Sequence, residues 1–177
     1  MHWMFLPLKR YAEFSGRSRR MEFWMWFLFQ ILLILLFIIL LVASIGAGAL
    51  STDPRQMMAG IGSAVIIYLL WVLVSLAFFI PNLAVTIRRL HDSGRSGLWV
   101  WLFWGPYLLS IVASFIGAAS GAGGDGGGVA VALTGVAGLG LIAGSLILLV
   151  FMFLEGTKGP NEYGPDPKGD ALGEVFA

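Results

Sequence analysis

Four stretches of this chain run for about twenty residues or more without a lysine, arginine, aspartate, glutamate or histidine. Crossing the hydrocarbon of a bilayer takes about 20 apolar residues as helix. Only helices or closed barrels satisfy every backbone polar group there. The runs are placed at residues 22–50, 59–87, 98–118 and 129–154, with Glu22 the single ionisable side chain among them, at the very start of the first. A helix lying on a soluble core shows a polar face at helical period; none of these runs shows one. The fold class read from this pattern is an all-α membrane protein of four transmembrane helices.

Composition agrees. Hydrophobic residues make up 58% and charged residues 12% of the chain, against about 45–50% and about 25% in soluble domains. Its 177 residues suit a single membrane domain. The first apolar run begins only at Phe23, too late and too long for the short core of a cleaved signal peptide. Cysteine is absent and the only histidines are His2 and His91, so thiolate or paired-imidazole metal ligation has no residues to use. No metal or cofactor is expected.

The connections are short, which makes neighbouring helices antiparallel and the whole an antiparallel bundle. Ser51–Met58 holds Thr52, Asp53 and Pro54, a helix-start signal. Arg88–Gly97 is read as the polar loop between the second and third spans, and Gly117–Gly128 as a flexible tether. Basic residues set the orientation. Ten of the eleven lie before the first span, between the second and third, or after the fourth, leaving Arg55 alone on the other side. Both termini and the middle loop are therefore expected in the cytoplasm. Trp3, Trp24, Trp26, Trp99, Trp101 and Trp104 would lie at that same interface, where amphipathic rings are favoured.

Within residues 1–21, Met4, Leu8, Tyr11 and Phe14 recur at helical spacing with Lys9, Arg10 and Glu13 on other faces, the pattern of a short interfacial helix. Small residues gather in the outer halves of the spans, and Gly140-x-x-x-Gly144 fits close helix packing without specifying a dimer.

Nearly all side chains capable of chemistry fall in three stretches: GRSRRMEFW before the first span, LHDSGRSG before the third, and GPNEYGPDP in the tail, residues 155–177. In order and spacing these resemble the bacterial "domain of unknown function 805" family of small inner-membrane proteins. The resemblance covers nearly the whole chain. Leu98 departs from it, since an aromatic residue commonly follows the Ser-Gly pair, as does the glycine-rich linker. Membership implies a polytopic protein of the bacterial inner membrane and no established activity.

Read physically, the same stretches supply a candidate site. Arg17, Arg19, Arg20, Arg88, Arg89 and Arg95 lie just outside the bilayer. Guanidinium groups pair bidentately with phosphate, so together they would form an anion-binding face. Glu22 and Asp92 are the expected carboxylate partners, and Asn161 and Tyr163 would close the site from the proline-stiffened tail. His91-Asp92 has the look of a catalytic fragment, but no activated nucleophile accompanies it and sequence neighbours rarely orient one another as a triad does. A loop-ordering role is expected of the pair.

The expectation is a non-enzymatic protein whose Arg-rich face takes anionic membrane lipids, with a protein partner or a second copy of the chain as other occupants. The alternative is a small transporter or channel, with Pro81 and Pro106 opening helices and Gln30, Ser75 and Asn82 lining a path; no ionisable residue in the spans supports it. A lipid-phosphate enzyme using His91, Asp92 and Tyr163 ranks below both. Nucleic acid is not expected: Glu155, Glu162, Asp166, Asp170 and Glu174 give the tail a charge that repels a polyanion. These carboxylates are expected to pair with the loop arginines.

Overall fold

The computed structural model describes residues 2–120 and 126–169. Among them all regular structure is helical: α1 (His2–Lys9), α2 (Arg20–Ala49), α3 (Pro54–Asp92), α4 (Trp101–Ser120) and α5 (Gly126–Phe153). A 3₁₀ turn, Gly97–Val100, leads into α4. Four helices are long and apolar enough to cross a membrane. Their apolar side chains point outward, with Ile39 64%, Leu73 63% and Leu139 72% exposed. Such surfaces are costly in water and natural against lipid tails.

The helix ends differ from those read in the sequence. α3 covers 39 residues, about 58 Å at the usual helical rise, and so outruns the hydrocarbon. At its start the Asp53 carboxylate accepts the Arg55 amide (2.9 Å), a cap that begins the helix at Pro54 instead of residue 59. At its end helix continues through Arg88, Arg89, His91 and Asp92, which corrects the reading of Arg88–Gly97 as loop. Gly94 stops it with φ +70°, while the Arg95 amide reaches back to the Leu90 carbonyl and the Gly94 amide to that of His91 (both 3.0 Å). This is a Schellman stop, which needs the left-handed backbone that glycine adopts without strain.

The glycine tether is likewise shorter than expected, since Gly117–Ser120 and Gly126–Gly128 are helical; residues 121–125 of it lie outside the described residues. α1 ends at Lys9, so Tyr11 and Phe14 do not continue its face. The Tyr11 hydroxyl instead donates to the Ala77 carbonyl in α3 (2.5 Å).

The described residues form two compact units, 2–13 with 21–85 and 14–20 with 86–169. In the first, α2 and α3 run antiparallel. Gly48 faces Gly60, Phe37 stacks on Trp71 with ring centroids 4.6 Å apart, and Trp26 meets Phe78 edge-on. Trp26 is buried, and its indole N–H donates to Asn82 Oδ1 (2.5 Å), which also accepts from Gln30 (3.0 Å). Trp26 thus anchors α2 to α3. Gln30 and Asn82 join two helices, and Ser75 bonds the Trp71 carbonyl of its own helix.

In the second unit α4 and α5 are antiparallel, with Leu102 against Gly144, Pro106 against Gly140 and Gly117 against Ala130. The Gly140-x-x-x-Gly144 pair is therefore used within the chain. Pro81 and Pro106 lie inside α3 and α4, and both helices continue past them.

Candidate functional site: a latched polar end

Within the second unit the three polar stretches meet on the last turns of α3. Asp92 is the centre. Its Oδ1 accepts from Arg17 Nε (3.0 Å), and its Oδ2 from Arg89 Nη1. Both guanidiniums then spend their remaining nitrogens on tail and helix-end carbonyls. Arg17 donates to Gly159 O (2.6 Å) and Thr157 O (2.5 Å). Arg89 donates to Met152 O (3.3 Å) and Leu154 O. The last carbonyls of an α-helix lack intrahelical partners and carry the negative end of its dipole. Arg89 therefore caps α5, joined there by Arg20, which donates to Phe153 O (3.2 Å).

Burial makes this arrangement consequential. The Arg17, Arg89 and Asp92 side chains are 2%, 0% and 8% exposed. A buried charge is costly unless paired and fully hydrogen-bonded. Here each guanidinium nitrogen of Arg17 and Arg89 has an acceptor.

The tail is fastened by its own turns. The Thr157 amide donates to Asp92 O (2.8 Å), and Asn161 Nδ2 to His91 O (3.0 Å) and to Thr157 Oγ1 (2.8 Å). Gly156 crosses so close to Asp92 that a Cβ there would strike the carboxylate. The Tyr163 ring stacks on His91, centroids 4.0 Å apart and nearly parallel. His91 Nδ1 lies 3.2 Å from the Gly16 carbonyl, which fixes that nitrogen as the donor. Asp166 accepts the amides of Lys168 (2.9 Å) and Gly159 (3.0 Å), and these bonds hold its carboxyl below the usual carboxylate range. Tyr163 moves the other way: loss of solvent, and then the neighbouring Glu162, push its phenol up.

His91 and Asp92 thus serve different partners and form no catalytic pair. Asn161 and Tyr163 both reach His91 from the tail. The first segment is tied in through the Ser18 amide, which donates to Arg88 O (3.1 Å). Arg88 and Glu22 are both buried, the first a residue of this unit and the second of the other; Asp92 is the carboxylate shared by Arg17 and Arg89. Arg95 points elsewhere, its guanidinium 4.0 Å over the Phe151 ring.

Beside the latch lies a cleft of about 60 Å³, bordered by Arg19, Arg20, Lys158 and Lys168 and by the carboxylates of Glu155 and Asp166. Arg20 pairs with Glu155 (2.8 Å) in the open, and Arg19 holds the Pro167 carbonyl. Of the tail acids, Glu155 meets an arginine of the first stretch and not of the α3–α4 loop. Asp166 serves backbone amides, and Asp170 and Glu174 lie outside the described residues. Gly156 and Thr157 fall outside the three polar stretches, and Lys158 and Lys168 enter the sequence argument only through the charge bias. Gly156-Thr157 directly after an apolar span was the available signal, whereas the carbonyl acceptors leave no trace in residue type. Among the described residues no group of three or more His, Asp or Glu side chains is placed to hold a metal.

Residues 11–165 match the family described as "Protein of unknown function (DUF805)". The inner membrane protein YhaI of Escherichia coli strain K12 is 34% identical over 168 residues, covering 95% of this chain and 97% of that protein. Inner membrane protein YhaH of the same strain is 32% identical, covering 95% and 98%. The uncharacterized protein YiiR is 31% identical, covering 87% and 85%. No solved structure matches. With the family match spanning its apolar helices, the first two polar stretches and most of the third, this chain belongs to the DUF805 family and is a multi-pass inner-membrane protein of that family.

Proposed function

We propose that the chain is a non-enzymatic membrane protein whose latched polar end faces the cytoplasm and holds the phosphate of an anionic lipid headgroup in the cleft beside Arg19, Arg20, Lys158 and Lys168. One observation carries the reading: stretches some 150 residues apart in sequence are drawn around one basic cleft. With Arg17 and Asp92 of the latch also lining it, five cations stand there against three carboxylates. Arginine and lysine at a membrane edge attract anionic headgroups by about 1 kcal/mol each. The bias of ten basic residues to one against supports the cytoplasmic orientation. His91 and Tyr163 stack on each other and Asp92 is saturated by two arginines, which favours a binding role over acid–base chemistry.

Arg17 and Arg89 are latch residues in this account, and the ligand-facing cations are the four at the cleft. The test is titration of the purified protein, in uncharged detergent, with glycerol phosphate, followed by native mass spectrometry. A variant with Arg19, Arg20, Lys158 and Lys168 all changed to Ala is expected to bind at least about tenfold more weakly, equivalent to about 1.4 kcal/mol. Equal binding by wild type and variant would sink the reading.

A further inference from the structure

Apart from the cleft, one more feature of the second unit joins a cation to an apolar surface. Where the 3₁₀ turn enters α4, Ser96, Leu98, Trp99, Trp101 and Leu102 line an open groove of about 320 Å³. Its walls are exposed: Leu98 is 73%, Trp101 55% and Trp99 42% accessible. Trp99 meets Phe151 edge-on, ring centroids 5.3 Å apart, and the Arg95 guanidinium rests on the Phe151 ring. Arg95 is therefore one side chain from the groove. Its only hydrogen bond among the described residues is a long one to the Ser93 carbonyl (3.4 Å), and it has no carboxylate partner among them. Arg17, Arg20 and Arg89 each have one.

We propose that the groove at the start of α4, with Arg95 beside it across the Phe151 ring, is a binding site for one anionic glycerophospholipid of the bilayer, the phosphate on Arg95 and an acyl chain along Leu98, Trp99 and Trp101. The chemistry matches at both ends. A cation held over an aromatic ring keeps donors facing outward for an oxyanion. Tryptophans at the end of a membrane-crossing helix sit at headgroup depth, with apolar surface continuing inward. An acidic protein segment would satisfy Arg95 but leave the groove empty. A free phosphate would do the same. This site is separate from the cleft and does not depend on it.

Photo-crosslinking reads the groove locally. A photoreactive phenylalanine analogue replaces Leu98 in protein reconstituted into vesicles of equal phosphatidylglycerol and phosphatidylcholine, and the captured lipid is identified by mass. The captured ratio of phosphatidylglycerol to phosphatidylcholine is expected to be about five to one, against one to one in the bulk. The same probe at Phe115, exposed toward the other end of α4, is expected to report the bulk ratio. Arg95→Gln should abolish the enrichment and Arg95→Lys should keep most of it. The fourfold cleft variant should leave it intact, so that failure here and failure of the cleft reading are told apart. Capture at the bulk ratio in the otherwise wild-type protein overturns the proposal without any folding question. So does enrichment that survives Arg95→Gln, or enrichment lost only in the cleft variant.

Discussion

Asp92 is the residue on which the polar end turns. One carboxylate serves two buried guanidiniums, and those guanidiniums cap the end of α5 and the start of the tail. Removing one partner of a buried pair costs about 3–5 kcal/mol, since the remaining charge stays in a poor solvent. Asp92→Ala is accordingly expected to lower unfolding stability in detergent by that amount, measured by thermal or denaturant melts. Arg17→Lys should recover little of an Arg17→Ala loss, because one ammonium cannot match three acceptors spread across a planar fork.

Asp166 gives a pH prediction at the same scale. Its folded-state carboxyl is depressed by the amides of Lys168 and Gly159. The stabilisation is therefore fully present above the unfolded value of about 3.9 and is lost as pH falls through the lower folded value. The Gly159 and Lys168 amide resonances should be constant from neutral pH down to about 5 and shift together only below about 4. In Asp166→Ala that joint shift should vanish. Residues of this kind were only half legible in the sequence. Arg17, Arg89 and Asp92 stood out as charges beside a membrane. Their division into latch residues and surface residues depends on backbone carbonyls at 152, 154, 157 and 159, which any sequence would present.

Among the elements, glycine position decides how closely helices approach. A Cβ at Gly144 would collide with the Leu102 carbonyl of α4, whereas Gly135 and Gly138 have open space around theirs. Gly144→Ala is expected to cost at least about 1–3 kcal/mol by overpacking. Gly135→Ala and Gly138→Ala should be neutral or stabilise by about 0.4–1 kcal/mol through the unfolded chain. Melting curves of the three variants check the contrast. The helices themselves were readable, because apolar length and missing charge leave little else for the chain to do. Their ends were less so. α3 keeps Arg88 to Asp92 helical because the stop is a backbone event at Gly94, and hydropathy falls several residues before it.

For the molecule as a whole, the charge bias predicts a topology. The chain has no cysteine, so single cysteines report location without background. A cysteine at Thr52 should be labelled from the periplasm by an impermeant maleimide, and one at Ser15 or Glu162 only after the membrane is opened. The reverse pattern would place the cleft and the groove away from the cytoplasmic leaflet.

The tail docks against the first polar stretch, and a cross-link measures that docking directly. Arg20 and Glu155 meet 2.8 Å apart with exposed side chains. Cysteines at these two positions, bridged by a short bifunctional thiosulfonate in intact membranes, should join within one chain in high yield. The yield should fall sharply when Asp92→Ala is added. Two cysteines that react singly in the folded protein yet are not bridged would mean that the tail does not sit on the latch.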